Sequence, residues 1–248
     1  MLWLLPVAVA SADTSTRQLA PSPALFATSS FLNASTTAAL HETIQHECTF
    51  EPAGSAGRFA CLVPMTASAI LNAVVDGFSR LWGINLKNVT QLVAVKFMPG
   101  CDTYPLHMDH ANLTGVLYLN SAEAGAGGEI HFPAADVRVV PKAGQFLTWR
   151  SFTEGESGQT VPDPAALHTV SPLAASAAEP RFTLQMEALL DDPTAVPRLP
   201  AVGAANALQR ALMFAPTPGR LGAVLELRTQ LSPTEVGWLL NKTKVRAR

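Results

Sequence analysis

The hydrophobic pattern of this 248-residue chain changes period at Gly83, and that change constrains the fold more than any other feature. From Met65 to Trp82, apolar residues recur at three- and four-residue steps: Ile70, Leu71, Val74, Val75, Phe78, Leu81 and Trp82. That spacing makes one apolar face of a helix. Thr66 or Ser68 stands where a cap is needed, and Gly83 ends the run. Beyond Gly83 the period falls towards two. The candidate strands are Gln91–Phe97, Tyr104–Asp109, Leu113–Leu119, Glu129–Phe132, Val137–Val140, Gln145–Arg150, Leu167–Ser171 and Arg181–Glu187. Gly, Pro, Asn and Asp punctuate them. A long helix ahead of about eight short strands predicts a mainly β protein with flanking helices, built on a double-stranded β-helix (jelly-roll) core.

The flanks of this region read differently. Residues 1–12 are apolar and end in small residues at Ala8, Ala10 and Ala12, as a signal peptide does, although no positive n-region precedes them. Residues 13–60 are read as a weakly ordered leader, rich in Ser, Thr, Ala and Pro over 13–40, and 61–190 as the folded domain. Residues 191–248 form a Pro- and Ala-rich extension with two helical patches, Ala204–Phe214 and Pro233–Leu240. The second carries Ser232, Pro233 and Glu235 in a capping-box arrangement. The expected location is the secretory pathway or endoplasmic reticulum, with the cytoplasm as the alternative.

Composition excludes some classes. Hydrophobic residues make up 48% and charged residues 15%, a folded balance. The net charge of -2 supplies no basic stripe for nucleic acid. No run of about 18 apolar residues is present, so no ordinary transmembrane helix is expected. Of the three cysteines, Cys48 and Cys61 are placed to close a short loop in an oxidising compartment, leaving Cys101 odd. Sequons occur at Asn33, Asn88, Asn112 and Asn241; Asn88 and Asn112 fall at or inside strands, which disfavours glycans there.

The chemistry-bearing constellation begins with His107-Met108-Asp109. On a strand, residues i and i+2 share a face, so His107 and Asp109 reach one metal together. His168 lies 61 residues on, in another strand-like run. Two histidines and one carboxylate make the facial triad of non-haem Fe(II) oxygenases, which leaves positions open for a co-substrate. Arg181 follows His168 by 13 residues, with Thr183 two further on the same face. A guanidinium there suits a carboxylate. Any of these residues alone is more often structural: a satisfied core histidine or a surface cation.

From about Leu92 to Met186 the chain resembles the prolyl 4-hydroxylase-like group of 2-oxoglutarate-dependent dioxygenases. The resemblance rests on ordered blocks: Phe97-Met98-Pro99-Gly100, then Tyr104-Pro105-Leu106-His107-Met108-Asp109, then Thr114-Gly115-Val116-Leu117-Tyr118-Leu119-Asn120. Gly127-Gly128-Glu129-Ile130-His131-Phe132-Pro133 follows, then Val139 to Trp149, and last Leu167-His168-Thr169-Val170-Ser171-Pro172. The resemblance implies the jelly-roll, Fe(II) held by His107, Asp109 and His168, 2-oxoglutarate as co-substrate, ascorbate as reductant, and a peptide or protein substrate hydroxylated with release of succinate and CO2. It implies that Arg181 and Thr183 take the far carboxylate of 2-oxoglutarate, with Tyr104 adding a hydrogen bond or a wall. Collagen-type animal members use Lys at a shorter spacing; the R-x-[ST] form is similar to other branches of the superfamily.

The departures are specific. Phe97 replaces the first Tyr of the family motif, Gly100 to Tyr104 is one residue longer, and Ile130 replaces a Thr. The link from Asp109 to Thr114 is short where the family has a covering loop. These changes leave a sister dioxygenase acting on a small molecule or a non-proline side chain, or a non-catalytic barrel used for binding, as alternatives. Alternation turns His110 away from Asp109, and His131 reads as strand surface. Phe146 and Trp149 read as lining or backing the barrel, with core packing the ordinary role for both.

Overall fold

The structure, a computed structural model, describes residues 15–64, 69–123 and 125–190. The chain runs β1 (Thr16–Ala20), β2 (Leu25–Thr28), α1 (Ala34–Glu47), β3 (Glu51–Pro52), β4 (Arg58–Leu62), α2 (Ala69–Trp82), β5 (Val89–Phe97), β6 (Tyr104–His107) and β7 (Leu113–Tyr118). It continues through β8 (Ile130–Phe132), β9 (Val137–Val139), β10 (Phe146–Arg150), β11 (Phe152–Glu154), β12 (Thr160–Pro162), β13 (His168–Val170) and β14 (Arg181–Ala188).

These strands form an eight-stranded sheet in the order β1-β2-β10-β7-β14-β5-β4-β3, a four-stranded sheet in the order β6-β13-β8-β9, and the small hairpin β11-β12. The pairings are antiparallel throughout. The large and small sheets face one another as the two walls of a double-stranded β-helix, and the predicted fold class is the observed one. All eight strands expected from Gln91 onward are present, most of them trimmed by one or two residues.

Residues 13–60 correct the sequence expectation. From Thr16 onward they are not a weakly ordered leader but supply β1, β2, α1, β3 and the first part of β4, all of whose strands belong to the large sheet. The reason is burial on two sides. Leu25 and Ala27 face the barrel interior while Ala24 and Phe26 face the helices, so β2 shows no alternation of polar and apolar residues. In α1 the buried stripe is only Thr37, Leu40 and Ile44, too thin for a clear helical period. Asn33 caps this helix, its side-chain oxygen accepting from Thr36 N at 2.8 Å.

Helix α2 packs its predicted face, from Leu71 to Trp82, against the outer side of the large sheet. Gly83 ends it in the left-handed region, φ +65°. Phe146 stacks on Phe31 at 4.6 Å and meets Phe78 edge-on at 5.6 Å. Each such buried apolar side chain contributes about 1.5–3 kcal/mol on leaving water. The indole of Trp82 donates to Thr148 Oγ1 at 2.9 Å, and Thr148 donates to the Thr114 carbonyl at 2.9 Å, so these two buried side chains are satisfied.

Cys48, at the end of α1, is bonded to Cys61 in β4 with Cα atoms 5.8 Å apart, and Cys101 is free and buried. Asn88 is 8% exposed, which removes it as a glycan acceptor in the folded chain. No described helix is long and apolar enough to cross a membrane. The apolar start at 1–12, the caps Thr66 and Ser68, and the two helical patches beyond 191 lie outside the described residues.

Candidate metal centre and cavity

Strands β6 and β13 are neighbours in the small sheet, and their register sets His107 directly opposite His168. Asp109 follows β6 by two residues and turns into the same space. The donor atoms of His107, Asp109 and His168 all lie within 4.8 Å of one another. Asp109 Oδ1 is 3.7 Å from His107 Nε2 and 4.0 Å from His168 Nε2. No other group of His, Cys, Asp or Glu among the described residues forms such a cluster.

Each donor is aimed by a second contact. His107 Nδ1 lies 2.8 Å from the Pro105 carbonyl and His168 Nδ1 lies 3.0 Å from the Ala166 carbonyl. A carbonyl only accepts, so both Nδ1 atoms carry the proton and both Nε2 lone pairs point into the site. Thr114 Oγ1 donates to Asp109 Oδ2 at 2.6 Å, leaving Oδ1 free to face the histidines. Burial, opposed by the Asp109 carboxylate, holds the His168 imidazole below its ordinary range, so it is neutral and basic enough to ligate. The His168 ring is wedged between Phe132 and Trp149, with centroids 5.2 and 4.9 Å away.

The site opens into a cavity of about 300 Å³ between the two sheets. Its large-sheet wall is built from β4, β5, β7, β10 and β14, and Arg58, Val95, Phe97, Arg181 and Thr183 are among the residues facing in. Arg181 is 3% exposed. Its Nη1 donates to the Gly128 carbonyl at 2.5 Å, its guanidinium lies over Phe97 at 4.3 Å, and its Nε is buried without a hydrogen-bond partner. Gly128 has φ +76°, and a Cβ there would come 3.1 Å from Arg181 Cδ, so glycine is what lets the carbonyl approach this closely. Arg181 forms no ion pair among the described residues. Burial pushes it down to about 10, still protonated at neutral pH.

The sequence-predicted residues therefore converge. His107, Asp109, His168, Arg181, Thr183 and Tyr104 all line one cavity. One reading is corrected: His110, expected to face away, lines the cavity mouth. The strand ends at His107, so alternation does not carry on to position 110. His131 is on β8 opposite Thr169 and Arg138, away from the cavity lining.

Several residues were not found by sequence reasoning. The Tyr118 hydroxyl is fully buried and without a partner, and Tyr118 stands opposite Thr183. Burial pushes its phenol up, so it stays protonated and able to donate. Arg58, from the misread leader, lies over the Tyr104 ring at 4.3 Å, and Tyr104 meets His107 edge-on at 4.6 Å. Trp149 lines the cavity with its indole N–H unpartnered. The sequence places Tyr118 in the Thr114–Asn120 block and, by phase with Thr114 and Val116, on the inner face of β7, but gives its hydroxyl no role.

The donor set fits a divalent iron: two neutral imidazoles and one carboxylate on one side of a cavity. The far wall fits an anion. Arg181 Nε and the Tyr118 hydroxyl are buried donors without acceptors, and unmet buried donors of this kind are costly.

No family model matches the chain, and no curated protein matches it in sequence. Solved structures do resemble it. One is the viral collagen prolyl hydroxylase of Paramecium Bursaria Chlorella virus-1, solved as a 2-oxoglutarate complex: TM-score 0.53, 16% identity, 66% of this chain and 94% of that one. Another is a prolyl hydroxylase from Trichoplax adhaerens, in complex with a peptide fragment of the hypoxia inducible factor oxygen degradation domain: TM-score 0.52, 16% identity, 68% and 84% coverage. At these identities the likeness shows the shared double-stranded β-helix.

Proposed function

We propose that the chain is an Fe(II)- and 2-oxoglutarate-dependent dioxygenase that hydroxylates a peptide or protein substrate. The observation that carries this reading is the pairing, in one cavity, of a two-histidine, one-carboxylate cluster with a buried, unpaired Arg181. His107, Asp109 and His168 would hold the iron. Bound iron, with 2-oxoglutarate and O2, supplies the oxidising power, and the co-substrate leaves as succinate and CO2.

The chain's own residues do the positioning. Arg181 pairs with the distal carboxylate of 2-oxoglutarate, and Thr183 and Tyr118 donate to it from neighbouring strands of one sheet. Gly128 fixes the guanidinium by accepting its Nη1 proton. Thr114 holds Asp109 so that one carboxylate oxygen always faces the histidines. Trp149, Phe132, Val95 and Ile130 keep water from the inner part of the cavity, where charge interactions are stronger. Ascorbate as reductant and proline as the residue modified belong to this proposal through the family resemblance. A secretory-pathway location also belongs to it, supported by the apolar start and by the Cys48–Cys61 disulfide, which persists in oxidising compartments.

A sister reading, hydroxylation of a small molecule or a non-proline side chain, is favoured by particular residues. Phe97 and Ile130 put apolar groups on the cavity wall where the resembling family has hydroxyls, and the link from Asp109 to Thr114 is too short to cover the mouth. A non-catalytic binding role would not need three aimed donor atoms.

The test is conversion of 2-oxoglutarate to succinate by the purified chain with Fe(II), wild type beside Asp109→Ala. Turnover in the wild type and background in the variant is the expected result. Equal turnover in both sinks the reading.

A further inference from the structure

The cavity carries two charges that the reading above does not use: Arg58, which donates to the Ala53 carbonyl and lies over the Tyr104 ring, and Glu187. Alternation along β14 turns Arg181, Thr183, Gln185 and Glu187 to the cavity, and all four line it. Glu187 is six residues from Arg181, roughly 20 Å along the strand at about 3.3 Å per residue. It stands opposite Gln91 in β5 and opposite Thr114 in β7. Thr114 is the residue that holds Asp109. Glu187 thus sits at the mouth, beside the metal centre, while Arg181 closes the inner end.

The surroundings of Glu187 are electrically incomplete. Its side chain is half-buried, and only the Gln91 amide donates to it. It forms no ion pair among the described residues. The charged groups felt by it are Asp109, which repels it, and His110. Its other cavity neighbours, Gln185, Val93 and Met108, carry no charge. A carboxylate drawn partly out of water beside another carboxylate is unfavourable unless a cation joins it. Nothing in the packing needs the charge: the outer face of β14 is held by Phe182, Leu184, Met186 and Ala188.

From this we propose that the substrate of the dioxygenase reading carries an ammonium or guanidinium group that pairs with Glu187 when the reacting carbon is presented to the metal. The inference rests on that reading for the reaction but not for the charge preference. With iron offsetting Asp109, an acidic ligand still meets Glu187 as a like charge. A neutral proline segment leaves Glu187 without its counter-ion. A basic side chain of a peptide, or a free amine, completes the site.

The experiment is direct binding by calorimetry to the full chain, wild type, Glu187→Gln and Glu187→Lys, with Fe(II) and 2-oxoglutarate held anaerobically and again without them. The probes are short proline-containing peptides identical except for lysine, arginine, norleucine or glutamate at one position, together with free L-lysine and L-arginine. Lysine or arginine probes are expected to bind at least about tenfold tighter than norleucine. Glu187→Gln erases that gap, and Glu187→Lys moves the preference to the glutamate peptide, with 2-oxoglutarate affinity equal in all three proteins. Tight binding of the free amino acids but not the peptides supports the charge preference and identifies a small amine as its source. Equal affinity for lysine and norleucine probes, or a gap that survives in Glu187→Gln, overturns the proposal. Failure of the dioxygenase reading shows separately, as no 2-oxoglutarate binding by the wild type.

Discussion

Strand β14 presents two surfaces made from one stretch of eight residues. Phe182, Leu184, Met186 and Ala188 face the helices and are buried among apolar side chains. Arg181, Thr183, Gln185 and Glu187 face the cavity and bear every polar and charged group of the strand. The outer surface is packed to closure, with the Leu184 and Met186 side chains 0% exposed. The inner surface is left unfinished, with an orphaned guanidinium nitrogen and an unpaired carboxylate. One face holds the sheet together; the other is available to a ligand. Stability and recognition are thus separated by the two-residue repeat of a single strand.

The contrast is open to direct attack. Leu184→Ala should do the most damage to folding, about 2–5 kcal/mol measured by denaturant unfolding, because the surrounding core collapses only partly around the lost atoms. Its folded fraction should bind 2-oxoglutarate as the wild type does. Arg181→Gln should do the reverse. Calorimetry should show 2-oxoglutarate affinity falling by about 10–100-fold, while the unfolding midpoint holds or rises, since a buried cation without an ion partner contributes little to stability. If Arg181→Gln unfolded the protein as Leu184→Ala does, the separation of faces would be wrong. Thr114→Val tests the adjoining strand. It keeps the shape but removes the hydrogen bond to Asp109, and metal affinity should drop by about tenfold with little change in unfolding.

The outer face was the more legible in sequence. Ile70 to Trp82 and the runs from Gln91 onward announce their periods because each strand or helix presents one apolar side. The donor cluster was legible too, since the His-x-Asp spacing brings two donors together and His168 sits in a neighbouring strand, although β6 ends at His107 and Asp109 lies two residues beyond it. What escaped notice lay in two places. Strand β1 is a largely exposed edge strand, β2 is buried on both sides and helix α1 only along a thin stripe, so none of them shows a clear period. With them went Arg58, which reaches the cavity only because β4 pairs with β5. Glu187 and Tyr118 escaped for another reason. Glu187 is in phase with Arg181, which was identified, and Tyr118 stands in a quoted block without a role. Their roles come from neighbouring strands brought together by register, and a one-dimensional pattern does not contain register.

The depth of Arg181 sets a time order as well as a place. Arg181 is 3% exposed, whereas Gln91, Gln185 and Glu187 stand half-open at the mouth. On the proposed function, a substrate seated at Glu187 stands in front of the co-substrate held by Arg181, so steady-state kinetics should show the co-substrate binding first. Random-order kinetics would mean that it also enters through the second cavity beside Arg181, lined by Ser121, Leu173 and Pro180.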